Sequence, residues 1–392
     1  MIRFHSQLIT GECKTLEKIK AMGVSDTCQV LVNKVVKTDL CTLCGGCVGL
    51  CPYFLSYDGR IVLRDTCDLN QGHCSTFCPR ISLHLENLHK TIFGMPYLWD
   101  EIGTIKAIVM ARSTNVKIKS RAQDAGTVTS LLYYAKDEGM IDSAVLTSFK
   151  DKSFPKGVVV STRDEIIACA GSSYIATPTV EAFNQVVRCD DQKRIGFVGT
   201  PCQALALAKM KESKLDENNP TDKLQLIIGL FCTWSLSHPE FSRFLENEVS
   251  GHIHKYDIPP HPANVLQVFT ERKHIDIPLD KIIPFVRPAC WICHDLTSEF
   301  TDISVGSGRG EVSEWNTVIV RSSRGMEIVN GAEKKGLIET REIPRENLKR
   351  LKIAAFEKKK RAIKNLIQKT GSKDDLLYLK VQPEIVKQLT SE

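Results

Sequence analysis

The side chains best suited to chemistry in this chain are its 15 cysteines. One run of them has the spacing C-x2-C-x2-C-x3-C-P, which binds 4Fe–4S clusters in ferredoxins, and it consists of Cys41, Cys44, Cys47, Cys51 and Pro52. The short spacings let three thiolates of one loop converge on one cube, and the two glycines inside the run let the backbone curl close to the sulfides. Zinc sites also use C-x2-C pairs, but four cysteines in so short a run, followed by proline, favour iron and sulfide.

A second, incomplete motif follows as Cys67-x6-Cys74-x3-Cys78-Pro79. In ferredoxins with two clusters, the fourth cysteine of such a run binds the other cluster. One cluster is therefore expected on Cys41, Cys44, Cys47 and Cys78. The other is expected on Cys51, Cys67 and Cys74, which leaves it one ligand short.

The missing ligand leaves several interpretations open. The second cluster is either a 3Fe–4S cluster or a 4Fe–4S cluster completed by Cys13, Cys28, Asp68 or His73. Taken alone, however, Cys13 and Cys28 are typical of ordinary buried thiols. The simplest alternative is that this region holds no second cluster.

Four further cysteines lie in the middle of the chain. Cys202 and Cys232 each follow a predicted strand, and Cys290 and Cys293 form a C-x2-C pair. Parallel strands bring their carboxyl ends to one edge of a sheet, where ligands bind in such folds. Four thiolates at that edge would suffice for a third 4Fe–4S cluster, although single cysteines after strands are usually just small buried hydrophobes.

The elements that must position these cysteines divide the chain into three predicted domains. Residues 1–95 hold the two N-terminal motifs and are expected to form a ferredoxin-like domain with an N-terminal extension, in which metal–thiolate bonds replace much of a hydrophobic core. Residues 96–343 alternate predicted strands with predicted helices, which indicates an α/β domain. Residues 344–392 form a tail with a basic helix. In the α/β region strands are predicted at 105–111, 143–148, 194–198, 224–231, 265–270, 274–277, 303–306 and 317–321, and helices at 126–136, 164–170, 180–187 and 201–210.

Composition narrows the class of protein. The 392 residues are 42% hydrophobic and 25% charged, with a net charge of +6, which is ordinary for a globular protein of two or three domains. There is no apolar run long enough to span a bilayer and no secretory signal pattern, so a cytoplasmic location is expected. The basic tail interleaves lysines with apolar residues at helical spacing, which favours a solvated or partner-facing helix over a nucleic-acid patch.

Several strings in this chain resemble the beta subunit of coenzyme F420 hydrogenases and dehydrogenases, over about residues 106–360. The N-terminal motifs are similar to those of the longer, ferredoxin-bearing members of that family. The strings are Ala111-Arg-Ser113, Ala122-Gln-Asp-Ala-Gly-Thr-Val-Thr129, Ala170-Gly-Ser-Ser-Tyr174, Gly199-Thr-Pro-Cys-Gln203, Cys290-x2-Cys293-x-Asp295, and Asp302-Ile-Ser-Val-Gly306 followed by Trp315 and Thr317.

The resemblance implies an α/β domain that binds FAD beside a 4Fe–4S cluster, whose ligands carry over by position to the four cysteines of the middle region. A flavin also agrees with the residues themselves, because three loops rich in glycine and hydroxyl groups could meet a pyrophosphate with free N–H groups. Each loop taken alone is better explained as a helix cap, but three of them in an α/β domain that also carries cluster ligands favour a flavin. The residues expected at the cofactor are Arg112, Ser113, Gln123, Asp124, Gly126, Thr127, Thr129, Gly171, Ser172, Ser173, Tyr174, Gly199 and Thr200.

The family's chemistry implies an oxidoreductase that exchanges hydride between FAD and coenzyme F420 and passes electrons singly to a partner. The resemblance suggests a hydrogenase, formate dehydrogenase or heterodisulfide-reductase-like subunit, or a ferredoxin, as that partner. We predict no catalytic acid–base pair, because hydride transfer needs no general base. Two alternatives are an electron-relay subunit without its own substrate and a related reductase acting on another small molecule. One departure concerns residues 257–264, where the family tends to carry a Gly-Lys-Gly-Lys-Phe type string that this chain lacks.

Overall fold

The computed structural model describes residues 27–149, 154–188, 194–259, 263–308, 312 and 314–391. Cys13, one candidate for the missing ligand, lies outside the described residues, as do residues 260–262 of the departing segment.

Fifteen strands occur in the described residues. In chain order they are β1 (Phe54–Tyr57), β2 (Arg60–Leu63), β3 (Leu83–His84), β4 (Ala107–Ser113), β5 (Ser143–Ser148), β6 (Lys156–Val160), β7 (Ile195–Gly199), β8 (Leu224–Leu230), β9 (Ile253–Asp257), β10 (Val265–Thr270), β11 (His274–Pro278), β12 (Ile303–Ser307), β13 (Asn316–Val320), β14 (Ile338–Arg341) and β15 (Leu379–Lys380).

The same part of the chain forms fourteen α-helices, with a π-helical turn at Val32–Val36 and 3-10 turns at Pro220–Lys223 and Ile283–Phe285. The α-helices are α1 (Thr27–Leu31), α2 (His73–Thr76), α3 (Leu85–Phe93), α4 (Val116–Arg121), α5 (Thr127–Asp137), α6 (Arg163–Ala168), α7 (Thr179–Val187), α8 (Pro201–Glu212), α9 (His238–Glu248), α10 (Leu279–Ile282), α11 (Pro288–Trp291), α12 (Ser323–Lys334), α13 (Arg345–Thr370) and α14 (Pro383–Thr390).

An eight-stranded sheet forms the centre of the fold, in the order β14-β4-β13-β12-β8-β7-β5-β6. Only its middle, β12-β8-β7-β5, is parallel, and the outer pairs are antiparallel. Strands such as β7 and β13 are buried along their whole length, which is typical of a sheet covered on both faces. The prediction of an α/β architecture is confirmed as a mixed α/β fold.

The predicted elements are present with modest shifts of their ends. The strands predicted at 143–148 and 265–270 have the predicted bounds, and the strand predicted at 105–111 begins and ends two residues later. The strands β6, β9 and β14 were not predicted. They lie at sheet edges, where half-exposed sequences lack the long apolar runs that mark buried strands.

A second, smaller sheet stands beside the large one. It has the antiparallel order β11-β10-β9, and its inner face packs with α9 around buried residues such as Phe241, Tyr256 and Leu266. This unit carries the segment that departs from the family pattern.

The N-terminal region and the tail share one apolar core, so the expectation that metal–thiolate bonds replace much of a core there is wrong. Leu31, Phe54 and Leu85 pack in a single cluster with Leu366 and Tyr378 of the tail. The tail also adds β15 to β3 in parallel register. The two ends of the described chain therefore stabilise each other.

The basic helix α13 is not simply a solvated face. Lys358 and Lys359 are almost fully buried. The Lys359 ammonium is compensated there, since it lies 2.8 Å from the Glu299 carboxylate and donates to the Tyr97 hydroxyl and the Asp100 carbonyl. Tyr97 in turn donates to Glu299 at 2.7 Å. The expectation of a solvated or partner-facing helix is wrong for these two lysines, which join the tail to the rest of the chain.

Within the described residues, no helix is both long enough and apolar enough to cross a membrane.

Breaking the Lys359–Glu299 pair should be costly. We expect Lys359→Met to lower the free energy of unfolding by about 3–5 kcal/mol, because it leaves the Glu299 carboxylate buried without a cation. Anaerobic chemical denaturation of the full chain measures the change. Lys359→Met combined with Glu299→Gln should recover most of the loss, and Lys364→Met, on an exposed position of the same helix, should stay within about 0.5 kcal/mol of the parent. Equal losses in the single and double variants would contradict this account.

Candidate functional site

The first predicted set of cysteines lines one cavity. Cys41, Cys44, Cys47 and Cys78 all face this cavity, together with Thr42, Gly45 and Arg80. The thiols are close enough to feel one another electrostatically, since Cys47 is influenced by Cys41, Cys44 and Cys78. The structure thus brings together the four residues that the spacing assigned to one cluster.

The loop that carries three of these thiols is held by the α/β domain. The Asn184 side chain on α7 donates to the carbonyls of Gly45, Gly46 and Val48, the last at 2.6 Å. The Val180 N–H, also on α7, donates to the Cys44 carbonyl at 3.1 Å. Because a buried asparagine satisfies several carbonyls at once, the loop is fixed in one conformation.

Gly45 is required by this docking as well as by the turn. Its φ is +90°, and a Cβ there would lie 2.6 Å from the Pro178 carbonyl oxygen. Both the left-handed backbone and the close approach exclude a larger residue. Glycine therefore lets the motif loop reach α7, a reason that differs from the close approach to sulfides predicted from the sequence.

The second set contains four cysteines rather than three. Cys74 on α2 lies within electrostatic reach of Cys51, Cys28 and Cys67. Cys28 on α1 is buried, and its thiol points at the Cys67 carbonyl, 3.8 Å away. Of the three candidates in the described residues, Cys28 is therefore the one that brings a further thiol to the set.

The third set gathers at the expected sheet edge. Cys202 follows β7, Cys232 follows β8, and these two strands are parallel neighbours. Cys290 and Cys293, on and just after α11, lie at the same edge. Both act electrostatically on Cys232, and so does Cys202. The Ser235 N–H donates to the Cys290 sulfur at 3.4 Å.

Burial among other thiols favours the neutral thiol form of these cysteines over the thiolate. Burial, followed by the Cys51 thiolate, raises the pKa of Cys74 to about 11, and burial raises the pKa of Cys232 to about 12. No disulfide joins any of the 13 cysteines in the described residues. Iron ions would reverse this balance, because a coordinated thiol is held as the thiolate by the metal's charge.

The three sets stand in a row. Cys44 of the first set is influenced by Cys202 of the third, and Cys47 of the first by Cys74 of the second. The first set is therefore the middle member. Arg80 acts on both Cys78 and Cys202, is almost fully buried, and donates to the Ala289 carbonyl at 3.0 Å.

Cations of the tail reach the third set. The Lys358 ammonium donates to the carbonyls of Cys232 and Asp295, and its charge acts on Cys232 and Cys290. Arg361, one helical turn on, lies over the Trp291 ring and acts on Cys290 and Cys293. Positive charge beside buried thiolates offsets their mutual repulsion.

Two of the predicted flavin loops are joined by a polar network. The Gln123 amide donates to the Tyr174 hydroxyl at 2.5 Å and to the Asp257 carboxylate at 3.1 Å. Lys255 donates to the Gln123 carbonyl at 3.1 Å. Burial, followed by the neighbouring Asp257 carboxylate, raises the pKa of Asp124 to about 6. Lys255 and Asp257 were not predicted, although Asp257 begins the stretch that departs from the family pattern.

This network lies next to the third set of cysteines. Tyr174 has a left-handed backbone with φ of 57°, and its carbonyl accepts from the Leu236 N–H at 2.8 Å. Leu236 directly follows Ser235, whose N–H bonds the Cys290 sulfur. The exposed Gly171 and half-buried Ser172 and Ser173 continue the same loop.

Several other predicted flavin residues are engaged within the protein. The Thr127 hydroxyl donates to the Ala111 carbonyl at 3.0 Å, and the Ser130 hydroxyl donates to that of Ser113 at 2.7 Å. Thr129 is buried, and Arg112 pairs across the sheet with Glu339 at 2.8 Å. The Thr127 and Ser130 hydroxyls thus position α5 against β4 rather than cap the helix, whose N-cap is Gly126.

The remaining glycines of the predicted flavin set have defined roles. Gly126 caps α5 with φ of 74°, and a Cβ there would meet Ile118 at 2.7 Å. Gly199 ends β7, and a Cβ there would overlap the Phe197 ring. Thr200 caps α8 together with Gln203, and its hydroxyl lies 3.4 Å from the Cys202 sulfur.

No group of three or more His, Cys, Asp and Glu side chains is arranged to hold a single metal ion in the part of the chain that the structure describes. A cluster of four irons is larger than an ion and holds its thiolates farther apart.

The raised pKa of Asp124 predicts a titration that infrared spectroscopy can follow. Because that pKa is about 6 rather than 3.8, the carboxyl should be protonated at pH 5 and lose its infrared carboxyl band as the pH rises through about 6. Asp124→Asn should remove this amplitude. Asp257→Asn should move the midpoint to lower pH, since it deletes the neighbouring negative charge. A wild-type protein without this amplitude at pH 5 would contradict the assignment.

Comparisons with known proteins agree with the sequence strings. The profile described as "Coenzyme F420 hydrogenase/dehydrogenase, beta subunit N-term" matches residues 108–184, and the profile of the C-terminal part of the same beta subunit matches residues 192–346. The chain is 32% identical over 269 residues to the coenzyme F420 hydrogenase subunit beta of Methanothermobacter thermautotrophicus, covering 68% of this chain and 95% of that protein.

A longer match extends into the N-terminal region. It is to the coenzyme F420-dependent sulfite reductase of Methanocaldococcus jannaschii, with 28% identity over 344 residues, and it covers 83% of this chain but 51% of that enzyme. Among solved structures, a chain of the F420-reducing [NiFe] hydrogenase complex from Methanosarcina barkeri matches with a TM-score of 0.64 and 31% identity, covering 69% of this chain and 95% of that one. The chain therefore belongs to the coenzyme F420 hydrogenase/dehydrogenase beta subunit family, a family of oxidoreductase subunits.

Proposed function

We propose that this chain is an iron–sulfur flavoprotein that passes electrons between coenzyme F420 and the one-electron clusters of a partner subunit. The observation that carries the proposal is the row of three cysteine sets, with the polar network of Gln123, Asp124 and Tyr174 next to the third set. Such a row suits stepwise electron transfer, because each set lies within electrostatic reach of the next. The assignment of coenzyme F420 as the substrate rests on the relatives that are named for it.

The donor sets fit 4Fe–4S clusters. The first set lines a cavity, the third gathers at the edge of two parallel strands, and each has four sulfurs. Cysteine thiolates in sets of four are the usual ligands of such clusters. Buried cations beside the sets, such as Arg80 and Lys358, compensate for the negative charge that a thiolate-bound cluster carries.

The region around Tyr174 and Gln123 fits one edge of a flavin site. It combines a half-exposed loop of small polar residues at 171–173 with the half-buried Asp124 carboxyl, the Tyr174 hydroxyl and the Lys255 ammonium. Bound FAD would supply the change between hydride transfer and single-electron transfer, and the chain's own part is to bind it, orient it and hold it next to the third set. Because Ser113, Thr127 and Thr129 are engaged in the fold, we assign the cofactor contacts to Gln123, Asp124, Tyr174 and the loop before it.

Cofactor content tests this function. Anaerobically purified full-length protein should contain about 12 iron atoms and matching sulfide, with one FAD per chain. Reduced coenzyme F420 should bleach the flavin. Protein with clusters but no flavin would make the chain a relay, and bound zinc in place of iron would overturn the proposal.

A substitution in the third set separates flavin reduction from onward transfer. Cys293→Ala should leave F420-dependent bleaching of the flavin intact and should slow reduction of the N-terminal clusters, because the step between the flavin and the first set is lost. Stopped-flow absorbance with freeze-quench EPR follows both steps. Equal rates of cluster reduction in the variant and the parent would contradict the order that we propose.

The buried lysine of α13 should set the potential of the third cluster. Lys358→Met removes a positive charge beside Cys232 and Cys290, so the midpoint potential of that cluster should become more negative, since reduction adds negative charge. EPR-monitored redox titration measures the shift. Lys358→Arg keeps the charge and should restore most of the potential, and Lys364→Met on the exposed face should change nothing. A shift in Lys358→Arg as large as in Lys358→Met would point to packing rather than charge.

A further inference from the structure

We infer that Cys28 is the fourth ligand of the second N-terminal cluster, which is therefore a 4Fe–4S cluster held by Cys28, Cys51, Cys67 and Cys74. This inference rests on the proposed function, because it presumes that the N-terminal sets bind iron and sulfide. The incomplete motif leaves the second set one ligand short, and no rule of spacing reaches back to Cys28, which lies 13 residues before the first motif.

The position of the thiol supports the assignment. Helix α1, which carries Cys28, packs against α2, which carries Cys74. The Cys28 sulfur approaches the backbone of Cys67 at 3.8 Å. Cys28 is 1% exposed, and it lies within electrostatic reach of Cys74, which Cys51 and Cys67 also influence.

The rival ligands are less well placed. His73 lies on α2, but its ring is 2.9 Å from the Asp216 carboxylate and stacks on Phe77. Asp68 is exposed to solvent. Cys28 therefore offers the one soft sulfur donor among the described candidates, and thiolate is the ligand that iron–sulfur clusters select.

The supporting core explains why the thiol stays in place. Cys28 belongs to the apolar cluster shared by the N-terminal region and the tail, in which Leu31 and Val35 follow it on the same helical face. A free cysteine in such a core would be a small hydrophobe. Here the core instead holds the thiol beside the Cys67 backbone and within reach of Cys74.

The test uses iron content and EPR of the full-length protein, purified without oxygen. Cys28→Ala should lower iron from about 12 to about 11 atoms per chain and produce the paramagnetic signal of an oxidised 3Fe–4S cluster, which the parent lacks. Loss of the whole second cluster, to about 8 iron atoms, would also support the assignment. Cys28→Ser, which keeps a ligating oxygen, should retain more iron than Cys28→Ala and shift the EPR signal of the reduced cluster.

A matched control separates ligation from packing. Val32 lies in the same helical segment and packs against the same core, so Val32→Ala removes volume but no ligand and should keep the full iron content. An unchanged iron content and no new signal in Cys28→Ala would overturn the inference, as would the same losses in Val32→Ala. Loss of iron in Asp68→Ala or His73→Ala instead would assign the ligand to that residue. A parent protein without iron would reject the proposed function itself.

Discussion

Sulfur atoms packed together inside the protein are the constraint on which the rest of this structure depends. Three groups of four cysteines lie in buried or half-buried positions, and burial combined with neighbouring thiolates raises the pKa of Cys44, Cys47 and Cys74. A thiolate in such a place is unfavourable unless a cation stands beside it. The fold must therefore either keep the thiols neutral or provide positive charge.

Positive charge is provided by parts of the chain that are far apart in sequence. Arg80 follows the second motif, and Lys358 and Arg361 belong to α13, nearly 280 residues later. All three act on cysteines. Helix α13 also carries Lys359, which pairs with the buried Glu299. This pair fixes the helix against the α/β domain, so that its other cations lie beside the cysteines. The basic tail is therefore part of the site's electrostatics.

The sequence predicted what depends on local geometry and missed what depends on distant packing. The first motif could be predicted because its geometry is local. Three thiols spaced three residues apart in one short loop can all face one cavity. Cys202 and Cys232 were predictable because neighbouring parallel strands must deliver their ends to one edge. Cys28 was named but could not be favoured, since its nearness to Cys74 depends on how α1 packs against α2.

The hydroxyl-rich loops predicted at the flavin show how residue type alone leaves a role open. Ser113, Thr127 and Thr129 have the residue types that bind phosphate, and the same types also cap helices and bond to neighbouring strands. In the structure Thr127 and Ser113 form bonds between α5 and β4, whereas the network at Gln123 uses Lys255 and Asp257 from β9, an edge strand with no sequence pattern to mark it. Whether a hydroxyl faces a ligand or a carbonyl is decided by the packing of α5, which the sequence of the loop does not contain.

The row of sites gives the first motif a role that its spacing does not reveal. Cys44 lies within electrostatic reach of the third set, and Cys47 lies within reach of the second. Two cysteines three residues apart therefore connect the first set to both of the others. The loop between them is held by Asn184 and Val180 of α7 and needs Gly45 to reach that helix. One helix of the α/β domain thereby holds the middle set in place. Electron transfer depends steeply on distance, so this contact bears on the proposed steps into and out of that set.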